Sequence, residues 1–213
     1  MWVVNEPTVG EGLGTAIVFQ VIGLQILSLH TVGTMALASR REQLVLKRWR
    51  SSEASSTNVL AGTIGIPAAL VVIQAVVLTL ITAAVYDQRP ASVAMLSLGV
   101  LAVVASIGAI TFVVAAFTRS SEHAMITTFP VVALLMGASV WAMLRPFDAT
   151  DWAVLALPGG GVIQLLRLGW DGPAGTGLLA WFTEAAPSLL ATVVVTALAT
   201  AGAVRWCRWE PRR

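Results

Sequence analysis

Residues 92–117 read SVAMLSLGVLAVVASIGAITFVVAAF, a run of 26 positions without one charged side chain. A helix needs about 20 predominantly apolar residues to cross roughly 30 Å of hydrocarbon, so this run alone implies a membrane span. Four more runs of the same kind lie on either side of it. Together the five predicted spans are 12–38, 59–86, 92–117, 125–144 and 178–204. The composition agrees, with 57% hydrophobic and 11% charged residues, far from the soluble average. The spans leave no room for a separate soluble unit, and the expectation is one transmembrane domain over residues 1–213.

Charge sets the expected orientation. With the N-terminus outside, Arg40, Arg41, Lys47, Arg48, Arg50, Arg119, Arg205, Arg208, Arg212 and Arg213 fall in the cytoplasm, while Arg89, Arg145 and Arg167 fall outside. That bias follows the positive-inside rule, because most of these cations stand near span ends. The acids Glu6, Glu11, Asp87, Asp148, Asp151, Asp171 and Glu184 collect on the outer side. Tryptophan prefers the headgroup level, where its ring is in apolar surroundings and its N–H stays wet. Trp49, Trp206 and Trp209 therefore mark the inner edge, and Trp2, Trp141, Trp152, Trp170 and Trp181 the outer edge, joined by Tyr86.

The stretch 152–168 is apolar enough for a sixth span, yet it contains Leu157-Pro158-Gly159-Gly160-Gly161, a poor sequence for a continuous helix. A full crossing there would also carry the basic 205–213 tail to the outer face. The reading is an external re-entrant helical hairpin, sheltered by the other helices because broken backbone in a bilayer needs protein or water around it. The expected fold is thus an all-α membrane protein of five transmembrane helices plus this hairpin, N-terminus outside and C-terminus cytoplasmic. The first residues, Met1-Trp2-Val3-Val4-Asn5-Glu6-Pro7, lack the basic start of a secretory signal, so the first apolar run is expected to be a retained span.

Residues able to carry catalysis are few. His30 and His123 are the only histidines and lie on different segments. Gly137-Ala138-Ser139 resembles a fragment of an intramembrane serine-protease motif, but no histidine follows it. Gly159-Gly160-Gly161 lacks the Lys and Ser/Thr of a phosphate-binding loop, and Gly10-Glu11-Gly12-Leu13-Gly14 follows no strand. Cys207 is the single cysteine, with no companion ligands. The expectation is no catalytic centre, no metal and no cofactor held by this chain.

The polar residues inside the spans are more informative. At about 100° per residue, Gln20, Thr31 and Thr34 share one face of the first span, with His30 beside them, and that face should point into the bundle. Interhelical hydrogen bonding and the lining of a transport path are the two roles weighed for it. In the second span Ala61, Gly65 and Ala69 recur at four-residue spacing, which suits close packing within the bundle. Pro67, Pro130 and Pro187 mark possible bends. Between the first two spans lies Arg40-Arg41-Glu42-Gln43-Leu44-Val45-Leu46-Lys47-Arg48-Trp49-Arg50, the densest charge cluster in the chain. Its interleaved apolar residues read as a short amphipathic helix on the inner surface, able to dock on a cytosolic protein or to lie along acidic headgroups.

In order and spacing these features resemble the type-two ABC exporter permeases, in particular the daunorubicin-resistance-like membrane subunits. Arg41-Glu42-Gln43 with Lys47-Arg48 resembles the family's cytoplasmic Arg-Glu and Lys-Arg segment. Phe117-Thr118-Arg119 with Glu122 and Ala124 resembles its next inner loop. Pro130 followed by Gly137 to Ser139 resembles its proline and small-residue pair, and Leu157-Pro158, Leu165-Leu166-Arg167 and Trp170-Asp171-Gly172 resemble its external re-entrant helices. The chain departs from the pattern in three places. No counterpart of the family's first span precedes residue 12, Leu44-Val45 replaces the usual Gly-Thr, and Ser52-Glu53 the usual Thr-Pro.

The resemblance implies a permease subunit in the bacterial cytoplasmic membrane, paired with a second permease copy or homologue. It also implies a cytosolic ABC ATPase subunit that holds the ATP and magnesium. Residues 40–53 become the coupling segment, with Arg41, Glu42, Lys47, Arg48, Arg119 and Glu122 as contacts to the ATPase, and Gln20, Thr31 and Thr34 as possible path lining. No Lys, Arg, Asp or Glu is central in a span, which favours a hydrophobic or amphipathic small molecule as substrate. No role with nucleic acid is expected. The rival readings are a non-transporting scaffold or immunity subunit, in which the basic block only sets topology, and an intramembrane enzyme.

Overall fold

The computed structural model describes Val18, Gly23, residues 26–42 and residues 56–206. The described residues form helices and connecting turns, with no strand among them. A π-helical segment, Ile26–Val32, continues as α1 (Gly33–Glu42). There follow α2 (Ser56–Tyr86), α3 (Val93–Phe117), α4 (Ala124–Met143), the one-turn α5 (Trp152–Leu155), α6 (Gly160–Asp171) and α7 (Leu178–Trp206). Among the described residues four helices are long and apolar enough to cross a membrane: Gly65–Tyr86 within α2, then α3, α4 and α7. They match the runs expected at 59–86, 92–117, 125–144 and 178–204 to within a few residues at each end. Most of the N-terminal half of the expected 12–38 span lies outside the described residues. From Ile26 onward it is helical, and the helix runs past Ala38 to Glu42.

The sequence 92–117 becomes the axis of the molecule. Ser92 starts α3 by accepting the Met95 amide on its hydroxyl at 3.2 Å, a side-chain cap for one of the unpaired N–H groups of the first turn. Gly99, Ser106, Gly108, Ala109, Ala115 and Ala116 are all buried on α3. These small residues let neighbouring backbones approach closely, the usual basis of helix association where lipid removes the hydrophobic drive. The prolines do not end their helices: Pro67, Pro130 and Pro187 each lie inside a continuous one.

Two ends of the bundle can be told apart by contacts. At one, Ala91 N–H donates to Trp170 O and Ser92 N–H to Gly169 O, both at 3.0 Å, joining the α2–α3 turn to the C-terminal end of α6. At the other, the Phe117 and Trp206 rings meet with centroids 5.4 Å apart, and Glu42 reaches Ser121 in the α3–α4 turn.

Helix α6 is the unusual element. Every residue from Gly160 to Trp170 is buried, yet at 12 residues it is only about 18 Å long, too short to cross alone. It is wedged between α3 and α7 through glycines. A Cβ on Gly169 would stand 2.6 Å from Leu96 N, and one on Gly161 would stand 2.6 Å from Ser188 O. Its N-terminal tip, Pro158-Gly159, meets Val103, Ser106 and Ile107 of α3 and Leu135 and Ser139 of α4. Ser106 is roughly 20 Å along α3 at 1.5 Å per residue, so the hairpin tip sits about halfway down the bundle. The break expected in 157–161 is narrower than the sequence suggested. It covers 156–159, with Gly159 in a left-handed conformation at φ +90°, while Gly160 and Gly161 belong to the helix. Both pack so closely against Val154 O and α7 that no side chain would fit there.

Two sequence expectations need correction. Of the Ala61, Gly65, Ala69 stripe, Gly65 and Ala69 do not pack within the chain: both are exposed, and nothing lies within 4 Å of a Cβ on Gly65. The face of α2 that is buried carries Pro67, Val71, Ala75 and Thr82, turned roughly 115° around the helix at about 100° per residue. Trp170 is also no surface anchor; it is 5% exposed and part of the main core, because α6 is enclosed on all sides.

This contrast predicts opposite responses to the same substitution. Gly169→Ala should destabilise the detergent-solubilised protein by about 1–3 kcal/mol, since the α3 backbone must move. Gly65→Ala should stabilise it by about 0.5–1 kcal/mol through helix propensity alone. Denaturation midpoints in mixed micelles measure both.

Candidate functional site

Three polar clusters stand out in this apolar chain. The first is inside the bundle, where the π-helical segment turns His30 toward α3. His30 and Thr34 are fully buried. Thr111 Oγ1 lies 3.1 Å from His30 Nδ1 and donates its own proton to Ile107 O at 2.7 Å. The proton between His30 and Thr111 is therefore assigned to Nδ1, and among the described residues Nε2 is left as an acceptor with no hydrogen-bond partner. Thr34 Oγ1 donates to His30 O at 2.7 Å. Thr31, expected on the same face as Thr34, is only half-buried, because i→i+5 bonding across Ile26–Val32 changes the angular step on which that expectation rested. Gln20 lies outside the described residues.

The second cluster is at the α3–α4 end. The Glu42 carboxylate closes the C-terminal end of α1 and accepts twice from Ser121: from its N–H at 3.2 Å on Oε1 and from its hydroxyl at 2.8 Å on Oε2. The turn is ordered from within as well. Ser120 Oγ lies 2.7 Å from His123 Nδ1 and accepts the His123 amide at 3.2 Å, while the buried Thr118 hydroxyl donates to Val114 O at 2.9 Å. Arg119, Glu122 and His123 are exposed on this turn. Of the residues that sequence reading assigned to coupling, Arg41 and Glu42 are in the last turn of α1, and Glu42 shares one surface with the turn that bears Arg119 and Glu122. Lys47, Arg48 and the rest of 43–55 lie outside the described residues.

The third cluster anchors the hairpin at the opposite end. Arg167 Nη1 donates to Ala142 O at 3.2 Å and to Arg145 O at 3.1 Å. A cation thus caps the carbonyls that the end of α4 leaves without helical partners, where the helix dipole also favours positive charge. Its guanidinium lies 5.4 Å from the Phe147 ring, and Asp171, one turn further along α6, adds an opposite charge. Gln164 Nε2 donates to Asp148 O at 3.0 Å. Asp151 caps α5 by accepting from Ala153 N–H and pairs with Arg145 Nε at 2.8 Å. The sequence places Arg167 on the outer side, in the Leu165-Leu166-Arg167 part of the expected re-entrant segment, and gives Gln164 no role. A Gln and an Arg three residues apart in an otherwise apolar run were the available signal.

Among the described residues, no three His, Cys, Asp or Glu side chains come together as a metal site. Ser139, the one serine of the protease-like fragment, gives its hydroxyl proton to Leu135 O at 2.7 Å rather than to a base. No family model, no curated protein and no solved structure matches this chain.

The Asp148 carboxyl titrates below the ordinary value of 3.8 because the Thr150 amide and hydroxyl both donate to it, at 2.8 Å. A depressed carboxylate contributes stability that is complete above its unfolded pKa and disappears as pH falls through the folded one. The 148–151 turn should therefore loosen only below pH 3.8. Asp148→Asn keeps an acceptor oxygen for Thr150 but removes the titration, so it should flatten this part of the acid-unfolding curve, followed by hydrogen exchange of the Thr150 amide.

Proposed function

We propose that the chain is the membrane-spanning permease subunit of an ATP-driven exporter of the type-two ABC class, seated in a bacterial cytoplasmic membrane. It would work with a second permease copy or homologue and with a separate ATPase subunit that binds ATP and magnesium. The compound moved would be hydrophobic or amphipathic. The five-span topology is part of the same proposal, with the N-terminus outside and α5–α6 as a hairpin re-entering from the outer side.

The observation that carries this reading is the Glu42–Ser121 link. The two segments that sequence resemblance assigned to coupling, far apart in the chain, meet at one end of the bundle and are hydrogen-bonded to each other. A partner that presses on this surface would act on α1, α3 and α4 together. Such a partner shifts the helices only if it interacts differently with their two arrangements, and exposed Arg119 and Glu122 offer charges for that purpose. In this arrangement the exposed Glu42 carboxylate also organises the surface from within by holding Ser121. The same internal bond is what a scaffold without transport would also need, so the scaffold remains the second reading.

The two readings separate on charge reversal at residues that the fold does not use. The test joins Arg119→Glu with Glu122→Arg and expresses the chain beside an ATPase encoded by a neighbouring reading frame. A permease predicts loss of ATPase co-purification and of substrate-stimulated hydrolysis, with the melting midpoint unchanged. Retention of both activities in the variant would remove the coupling surface from consideration.

A further inference from the structure

At the end of the bundle where α4 and α6 finish, one buried cation has no counter-ion. Arg167 is 7% exposed, and its Nη1 is spent on the Ala142 and Arg145 carbonyls. Its Nε is enclosed and has no partner. Nη2 makes no hydrogen bond among the described residues either, but it is not enclosed, so the accessible remainder of Arg167 includes this nitrogen. A buried charge is costly unless it is paired. Among the described residues no carboxylate forms an ion pair with Arg167; the pair at this end is Arg145 with Asp151.

Asp171 is the acid whose charge is felt at Arg167, yet the two do not close. It stands one turn further along the same face of α6, while the guanidinium is turned away to the carbonyls that end α4. Asp171 is exposed and accepts no hydrogen bond among the described residues. The other carboxylates of this end are committed, Asp151 to Arg145 and Asp148 to the Thr150 amide and hydroxyl. What remains on α6 is an open cationic edge and an open carboxylate, neighbours on one face and unjoined.

Their depth in the membrane identifies what can join them. α4 has 20 residues, about 30 Å of helix, the thickness of the hydrocarbon layer. Arg145 lies just past its end, so the carbonyls gripped by Arg167 stand at headgroup level. Trp141, 39% exposed, has the Arg145 guanidinium over its ring at 4.8 Å, in the interfacial position that tryptophan prefers.

We propose that Arg167 and Asp171 form a binding site for the headgroup of a zwitterionic phospholipid of the phosphatidylethanolamine class. The phosphate accepts from Arg167 Nη2, and the ammonium, two carbons away, donates to the Asp171 carboxylate. The chemistry selects this headgroup. A purely anionic lipid would meet the guanidinium but set further negative charge against Asp171, and a choline headgroup has no N–H to donate. The site requires only that this end of the bundle lies at a membrane surface, whichever way the chain faces. The lipid supplies the counter-charge that the fold withholds from Arg167, so the membrane completes the anchor of α6 on α4.

Native mass spectrometry of the full chain in detergent, with phosphatidylethanolamine, phosphatidylglycerol and phosphatidylcholine added in equal amounts, reads the preference directly. The native protein should retain the ethanolamine lipid about threefold to fivefold over either of the others, the range of a partly exposed ion pair. Asp171→Asn, at a side chain with no partner in the fold, should bring that ratio to about one. The soluble headgroup O-phosphoethanolamine, added in excess, should not displace the lipid, because it lacks the acyl chains that hold a headgroup at this level. Equal retention of the three lipids, a preference for phosphatidylglycerol or phosphatidylcholine, a preference that survives Asp171→Asn, or displacement by the soluble headgroup would each overturn the proposal.

Discussion

Backbone N–H and C=O groups removed from water must find partners, and in this chain that requirement falls hardest on one short helix. α6 is enclosed on every side, ends its N-terminus in the middle of the bundle, and follows a break that leaves polar backbone exposed to an apolar interior. The surroundings are arranged around that difficulty. Glycines bring α3 and α7 against its flanks, the α2–α3 turn donates two amides to its last carbonyls, and Arg167 and Gln164 spend their polar groups on the carbonyls that end α4 and precede α5. Burying a guanidinium is costly unless it is hydrogen-bonded. Here the same bonds that offset the cost also hold α6 to α4, so the hairpin cannot shift without uncapping its neighbour.

Much of the architecture was legible in the sequence because hydrophobic length is a strong signal. A charge-free run such as 92–117 has few alternatives in lipid, and the helix found there begins one residue later than expected and ends at the same residue. The break between α5 and α6 was legible for a related reason: Pro158 and three glycines interrupt an apolar stretch that is otherwise long enough to span. Composition could not say that Gly160 and Gly161 would enter the helix. That outcome depends on how closely Val154 and α7 approach, which is a tertiary fact. The α2 stripe failed similarly. Small residues at four-residue spacing specify a face able to pack closely, but which face of α2 turns inward was decided by Pro67, Val71 and Ala75.

The polar residues were legible in part. The inward face of the first span was read correctly for Thr34, and His30 beside it is buried, yet a π-helical segment broke the regular angular count on which Thr31 depended. Glu42 was singled out for a contact with a partner ATPase; within the chain its carboxylate bonds Ser121. No local pattern announces a bond between residues 79 positions apart. Seen together, the three clusters divide the molecule into a hydrogen-bonded anchor at the α2–α3 end, a hydrogen-bonded interior along α3, and a charged turn at the α3–α4 end. Among the described residues, His30 Nε2 in that interior is one of four buried side-chain atoms left without a hydrogen-bond partner, with Gln164 Oε1, Arg167 Nε and Ser188 Oγ.

The central claim is that α5 and α6 enter and leave the bundle at the same end, so that the segments before and after them share one side of the membrane. Single cysteines introduced by Thr150→Cys, Gly175→Cys or Glu122→Cys, each in a Cys207→Ser background, can be labelled with a membrane-impermeant maleimide in right-side-out vesicles. The account predicts that positions 150 and 175 react from outside and that position 122 reacts only after permeabilisation. Reaction of 150 and 175 from opposite sides would mean that the hairpin crosses the membrane, and would contradict the account.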